Sequence, residues 1–172
     1  VRAYMVSRGY SIDAEGFARL EAEYENKLLQ IAARALGANR TIFVYQEVYD
    51  NNITLPERIV FGVWKRGNPG AAAPSLPINE EISRIVADGH RAVLANGNGG
   101  EWYLNDGYGN GPNRAQWNEV YALDPLNGTH LTAAEQARVL GGEASLWGEE
   151  IDETCLEPKA WPRGAAFAER MW

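Results

Sequence analysis

The chain holds almost nothing from which a metal centre or a reactive thiol could be built. Among its 172 residues are one cysteine, Cys155, and two histidines, His90 and His130, far apart in sequence. Neither metal-ligand spacing nor a Cys/His nucleophile arrangement can be drawn from them, and no cofactor is called for. No apolar run approaches the length of a membrane-spanning helix. Basic residues are few, 16 Lys and Arg against 23 Asp and Glu, for a net charge of −7, and no basic stripe gathers them. Nucleic acid and anionic membrane are therefore poor partners, and neutral polar ligands fit better. Low-complexity tracts and internal repeats are also missing. The chain opens Val1-Arg2 without Met or a signal-like segment, so a processed or cut N-terminus is expected.

What is present suits one domain with a real core: 45% hydrophobic and 23% charged residues. From Asp13 to Leu36 the apolar positions Phe17, Leu20, Tyr24, Leu28, Ile31 and Ala35 recur at helical steps, with acidic residues early, Arg34 late and Gly37 to stop the run. A long amphipathic helix is expected there. Thr41 to Tyr45, Arg58 to Trp64, Arg91 to Asn96 and Arg138 to Trp147 read as strands, the first two apolar on both faces as buried parallel strands are. Ile78 to Asp88 reads as a helix closed by Gly89, with Gln116 to Tyr121 a short helix and Ala133 to Gln136 a helical turn. A last helix begins near Pro162. Val1 to Gly9 carries no assignable pattern. Helices alternating with apolar strands imply an α/β fold with a parallel sheet. Four strands amount to half of an eight-stranded barrel, which typically takes about 250 residues, so an incomplete domain is expected.

Each strand end delivers an aromatic residue or a carboxylate: Tyr45 with Glu47, Trp64, Trp102 with Tyr103, and Trp147 with Glu149. Any one of them is explained as well by core packing or by a solvated carboxylate. As a set they imply a pocket, because the C-terminal ends of barrel strands share one mouth. Aromatic plates cover the C–H face of a pyranose while carboxylates accept hydrogen bonds from its hydroxyls.

The closing stretch GGEASLWGEEID followed by WPRGAAFAERMW resembles the β-N-acetylhexosaminidases of glycoside hydrolase family 20. YQEVYDNN, IVFGVWK and EWYLND are similar to further segments of that family. The resemblance covers nearly the whole chain. It implies a parallel (β/α)8 TIM-type barrel of which residues 1–172 form the C-terminal half, strands five to eight. It also implies a substrate ending in N-acetylhexosamine, with Tyr45, Trp64 and Trp147 enclosing the N-acetyl group and sugar face. Trp102 stands in the same wall. Tyr103 donates to the acetamide carbonyl, and Glu149 and Asn105 hold sugar hydroxyls. Two residues depart from the family pattern: Tyr45 stands where Trp is usual, and Asn105 where Asp is, which keeps an acceptor and loses a charge.

The mechanism implied by the resemblance is retaining hydrolysis in which the substrate's own acetamide attacks the anomeric carbon. It needs an adjacent Asp-Glu pair after the fourth strand, and that pair lies outside this chain. The chain by itself is thus expected to be inactive. A half barrel leaves strand edges open, so isolated material is expected to aggregate, to require the missing N-terminal half, or to pair with a second copy as a homodimer. A non-catalytic glycan-binding protein stays open as the rival reading. The sequons at Asn39, Asn52 and Asn127 fall at expected loops and turns and point to glycosylation and the secretory pathway, lysosomal or extracellular.

Overall fold

The computed structural model describes residues 1–37, 40–51, 53, 59–65, 76–97, 100–104, 116–148 and 151–172. The chain divides into two units, Val1–Phe61 and Gly62–Trp172.

In the first unit the segment without a pattern forms a short helix, α1 (Arg2–Ser7). The expected long helix is α2 (Ala14–Leu36), capped by Asp13, whose Oδ1 accepts from the Gly16 N–H at 3.0 Å. Gly16 is required: a Cβ there would lie 1.8 Å from the Ser11 carbonyl oxygen. Glu23 on α2 gathers the hydroxyls of Tyr4 (2.7 Å) and Tyr10 (2.9 Å), the Lys27 ammonium and the Arg8 guanidinium (3.3 Å), and so ties α1 and the following loop to α2. These bonds, that from Lys27 foremost, pull its carboxyl down to about 2. The apolar stripe of α2 stays open, with Phe17, Tyr24, Leu28 and Ile31 exposed and Leu29 buried. After α2 come β1 (Ile42–Tyr45), a single turn α3 (Glu47–Asp50), and the start of β2 (Ile59–Val63). In this unit β1 lies next to β2.

In the second unit the end of β2 is followed in the sheet by β3 (Arg91–Ala95) and β4 (Val139–Glu143). β3 and β4 run parallel, Ala92 opposite Val139, Leu94 opposite Gly142 and Ala95 opposite Glu143. The register gains one residue on β4 between the first two pairs, where Gly141 takes φ +126°. That is a bulge, in a conformation glycine tolerates and other residues do not. α4 (Ile78–Ala87) turns Ile82, Ile85 and Val86 fully inward, and Arg138 donates to the Val86 carbonyl at 3.0 Å. α5 (Trp117–Ala122) and α6 (Ala133–Gln136) each begin with a reciprocal side-chain cap, Gln116 with Glu119 and Thr132 with Glu135. α7 (Leu156–Ala160) and α8 (Arg163–Met171) close the chain. α5 packs on α8, and Arg170 of α8 donates to the Leu123 carbonyl at 3.2 Å and to Asp124 Oδ2 at 2.7 Å.

The expected elements occur in the expected order, with shorter strands and with the short helices α1, α3 and α7 added. β4 stops at Glu143 rather than Trp147, because Ala144 leaves the ladder and pairing resumes only at Ser145. The parts of the expected Lys65–Pro77 loop at 66–75 and of the Gly97–Gly111 run at 98–99 and 105–111 lie outside the described residues.

Candidate active site

The end of β3 shows how the chain builds a strand mouth. Beyond Ala95 the backbone turns out through Asn96 (φ 63°) and Gly97 (φ 76°), an Asn-Gly pair suited to two successive positive φ values. It returns at Trp102, whose N–H donates to the Asn96 carbonyl at 3.2 Å. The parallel ladder then resumes: Tyr103 pairs with Ser145, the Ser145 N–H donates to the Trp102 carbonyl (3.0 Å) and the Leu104 N–H to the Ser145 carbonyl (2.8 Å). Tyr103 is thereby fixed by backbone bonds on both sides, at a strand end and half-buried.

Trp102 faces the other way. It is 0% exposed, its indole N–H donates to the Val120 carbonyl of α5 at 3.1 Å, and its ring meets Phe167 of α8 edge-on at 5.0 Å. Successive residues of an extended chain point to opposite faces, so Trp102 lies in the core while Tyr103 next to it stays half-buried. The sequence places Trp102 among the substrate contacts; here its side chain is packed in the core.

The other expected wall residues stand at strand ends and are partly open. Trp64 follows the last residue of β2 and is 40% exposed; Trp147 lies two residues past the Tyr103–Ser145 bridge and is 45% exposed. In the first unit, Tyr45 ends β1, is 43% exposed, and meets Phe43 edge-on at 5.4 Å. Asn105 and Glu149, as well as the sequons at Asn39 and Asn52, lie outside the described residues. Arg163 of α8 donates to the Leu104 carbonyl, next to Asn105, and to the Lys159 carbonyl at 3.0 Å. In the loop after Trp147, Asp152 accepts from the Thr154 hydroxyl (2.6 Å) and N–H (2.9 Å), which hold its carboxyl below the usual range.

One residue of this region escaped the sequence reading. Asn96 is 6% exposed, its N–H donates to the Glu143 carbonyl at 2.8 Å, and its side-chain Oδ1 is buried without a hydrogen-bond partner among the described residues. A strained backbone and an unmet polar atom together are features that gather at functional sites. The signal available was the Asn-Gly pair directly after an apolar strand.

The model of the glycosyl hydrolase family 20 catalytic domain matches residues 2–172. The chain belongs to that family. Among relatives of this family 20 chain, the beta-hexosaminidase subunit alpha of Rattus norvegicus is 34% identical over 100% of the chain and 28% of its own length. The human beta-hexosaminidase subunit beta is likewise 34% identical, over 100% and 27%. The family 20 chain thus spans under a third of the length of these relatives. Among solved structures, a chitobiase of Flavobacterium johnsoniae aligns with 99% of the chain and 22% of its own at a TM-score of 0.67 and 22% identity. The fold of the family 20 chain is accordingly of the α/β TIM type.

Proposed function

We propose that this chain is the C-terminal half, strands five to eight, of a family 20 (β/α)8 barrel. Completed by the N-terminal half, it forms a β-N-acetylhexosaminidase that releases terminal β-linked N-acetylglucosamine or N-acetylgalactosamine from oligosaccharides and glycoconjugates. The observation that carries the reading is Tyr103, held half-buried at a strand end by its bridge to Ser145, in a chain whose residues 2–172 match the family's catalytic-domain model.

In this reading the acetamide oxygen of the substrate attacks its own anomeric carbon and the leaving oxygen departs on the opposite face. Water then opens the cyclic intermediate with net retention. An Asp-Glu pair from the other half orients the acetamide nitrogen and transfers the protons. The Tyr103 hydroxyl donates to the acetamide oxygen, holding it in line for attack. Trp64 and Trp147 supply the flat apolar walls against which the sugar face and the N-acetyl methyl lose water. Glu149 and Asn105 accept from sugar hydroxyls, and the amide at Asn105 avoids placing a second charge beside the substrate. The sequons fit a protein of the secretory pathway.

The test compares the full-length protein carrying this sequence with the 172-residue chain alone on a chromogenic β-N-acetylglucosaminide. Turnover is expected from the first, with a β-configured product at early times, and none from the second. Full-length protein that binds N-acetylglucosamine without hydrolysing the glycoside would instead identify a lectin-like relative.

A further inference from the structure

Asn127 stands out from its surroundings because everything around its side chain is used and the side chain is not. The Asn127 N–H donates to the Asp124 carbonyl (3.0 Å), and the Thr129 N–H (3.1 Å) and hydroxyl (2.6 Å) both donate to the Leu126 carbonyl. Asp124 Oδ1 accepts from the Leu126 N–H (2.8 Å), and its Oδ2 binds Arg170. Gly128, at φ +74°, offers its carbonyl to Asn79 of α4 at 2.8 Å. The turn is thereby pinned to α4 and α8, while the exposed Asn127 carboxamide makes no hydrogen bond among the described residues. It borders a cleft of about 390 Å³ whose wall includes the apolar side chains of Ile78, Leu123 and Pro125 and the polar Asn79 and Asp124.

We propose that Asn127, the acceptor of Asn127-Gly128-Thr129, carries an N-linked oligosaccharide whose first N-acetylglucosamine lies along this cleft. A wall that mixes apolar side chains with the carboxylates Glu101, Glu119 and Asp124 suits a sugar ring and its hydroxyls, and a rigid turn presents the linkage in one direction without disturbing the fold. In the transfer, Asn127 Nδ2 attacks the anomeric carbon of an oligosaccharide carried on a lipid pyrophosphate. The N–C bond forms, the C–O bond to the pyrophosphate breaks, the lipid pyrophosphate leaves with the bonding pair, and an amide proton passes to the base of the host transferase. The cleft is then the seat of the protein's own glycan and not a second substrate pocket. This inference rests on the secretory reading above.

The experiment expresses the full-length protein in a eukaryotic secretory host, once behind its own N-terminus and once behind a foreign secretion signal. Secreted and organelle-retained material is denatured and then treated with a glycan-releasing amidase in heavy-oxygen water, which converts a glycosylated Asn to labelled Asp. With the foreign signal, the peptide containing residue 127 is expected to be labelled, and N127Q and T129A to lose the label. An unlabelled Asn127 in that arm overturns the proposal. Label there but no entry behind the native N-terminus sinks the secretory reading alone. Hydrogen exchange over residues 122–128 is expected to be slower in the glycosylated protein than in N127Q; equal rates would overturn the seating of the sugar in the cleft.

Discussion

A methyl group on Gly142 would stand 2.3 Å from Cζ3 and 2.7 Å from Cη2 of Trp102. The strand β4 is thus in direct contact with the indole that backs Tyr103, and the indole has no room to retreat. Its N–H is held by the Val120 carbonyl and its ring by Phe167, while Met171 Sδ would lie 3.0 Å from the same added methyl. G142A is expected to destabilise the full-length protein by about 1–3 kcal/mol through overpacking, read from chemical unfolding. Because Trp102 and Tyr103 are adjacent, affinity for an N-acetylglucosamine-derived inhibitor should fall as well. Unchanged stability and affinity would mean that Trp102 moves freely.

The same indole gives a second expectation by subtraction. W102F keeps an aromatic ring against Phe167 but removes the donor to the Val120 carbonyl. Leaving that buried carbonyl unmet costs about 1–3 kcal/mol, with a further loss from the smaller ring. A drop in thermal midpoint without loss of glycosidase activity at low temperature is expected if Trp102 only supports the mouth. Loss of substrate affinity at full stability would put it back among the sugar contacts.

Glu23 supplies a pH dependence with a definite sign. Its carboxyl is depressed to about 2 by the Lys27, Tyr4 and Tyr10 bonds, against an unfolded value near 4.5. A group depressed in the folded state contributes stability that is fully present above the unfolded value and is lost as pH falls toward the folded one. The stability difference between the wild type and E23Q should therefore be flat above pH about 5 and shrink from there toward pH about 2. A difference that stays constant across that range would show that the Tyr4, Tyr10 and Lys27 bonds do not hold in solution.

Much of this architecture was legible before any coordinates. Gly37 ends α2 because a positive-φ glycine has few other uses after a helical repeat, and α6 lies where Ala133 to Gln136 reads as a helical turn. The short helices α1, α3 and α7 were not read, since a single turn has no periodicity to detect. The burial of Trp102 was missed for another reason. Two adjacent aromatic residues look alike in a sequence, and only the packing of the fold buries Trp102 completely while Tyr103 stays half-buried. Asn96 was hidden because the cost of its position, a left-handed backbone and a buried oxygen, is a property of the fold around it.

Tyr103 is the residue on which the proposed chemistry makes its sharpest demand. In Y103F the ring and its backbone bridge to Ser145 remain, while the donor to the acetamide oxygen is gone. Removing one preorganised donor from a developing charge lowers kcat by about 10²–10³-fold. W64A, by contrast, removes an apolar wall that the bound sugar meets before and during reaction alike. It should raise KM more than it lowers kcat, since such binding is shared by ground and transition states. Steady-state kinetics on the full-length enzyme separate the two effects. Equal losses in KM from both variants, with kcat untouched, would mean that Tyr103 merely lines the pocket and that the acetamide is positioned by other groups.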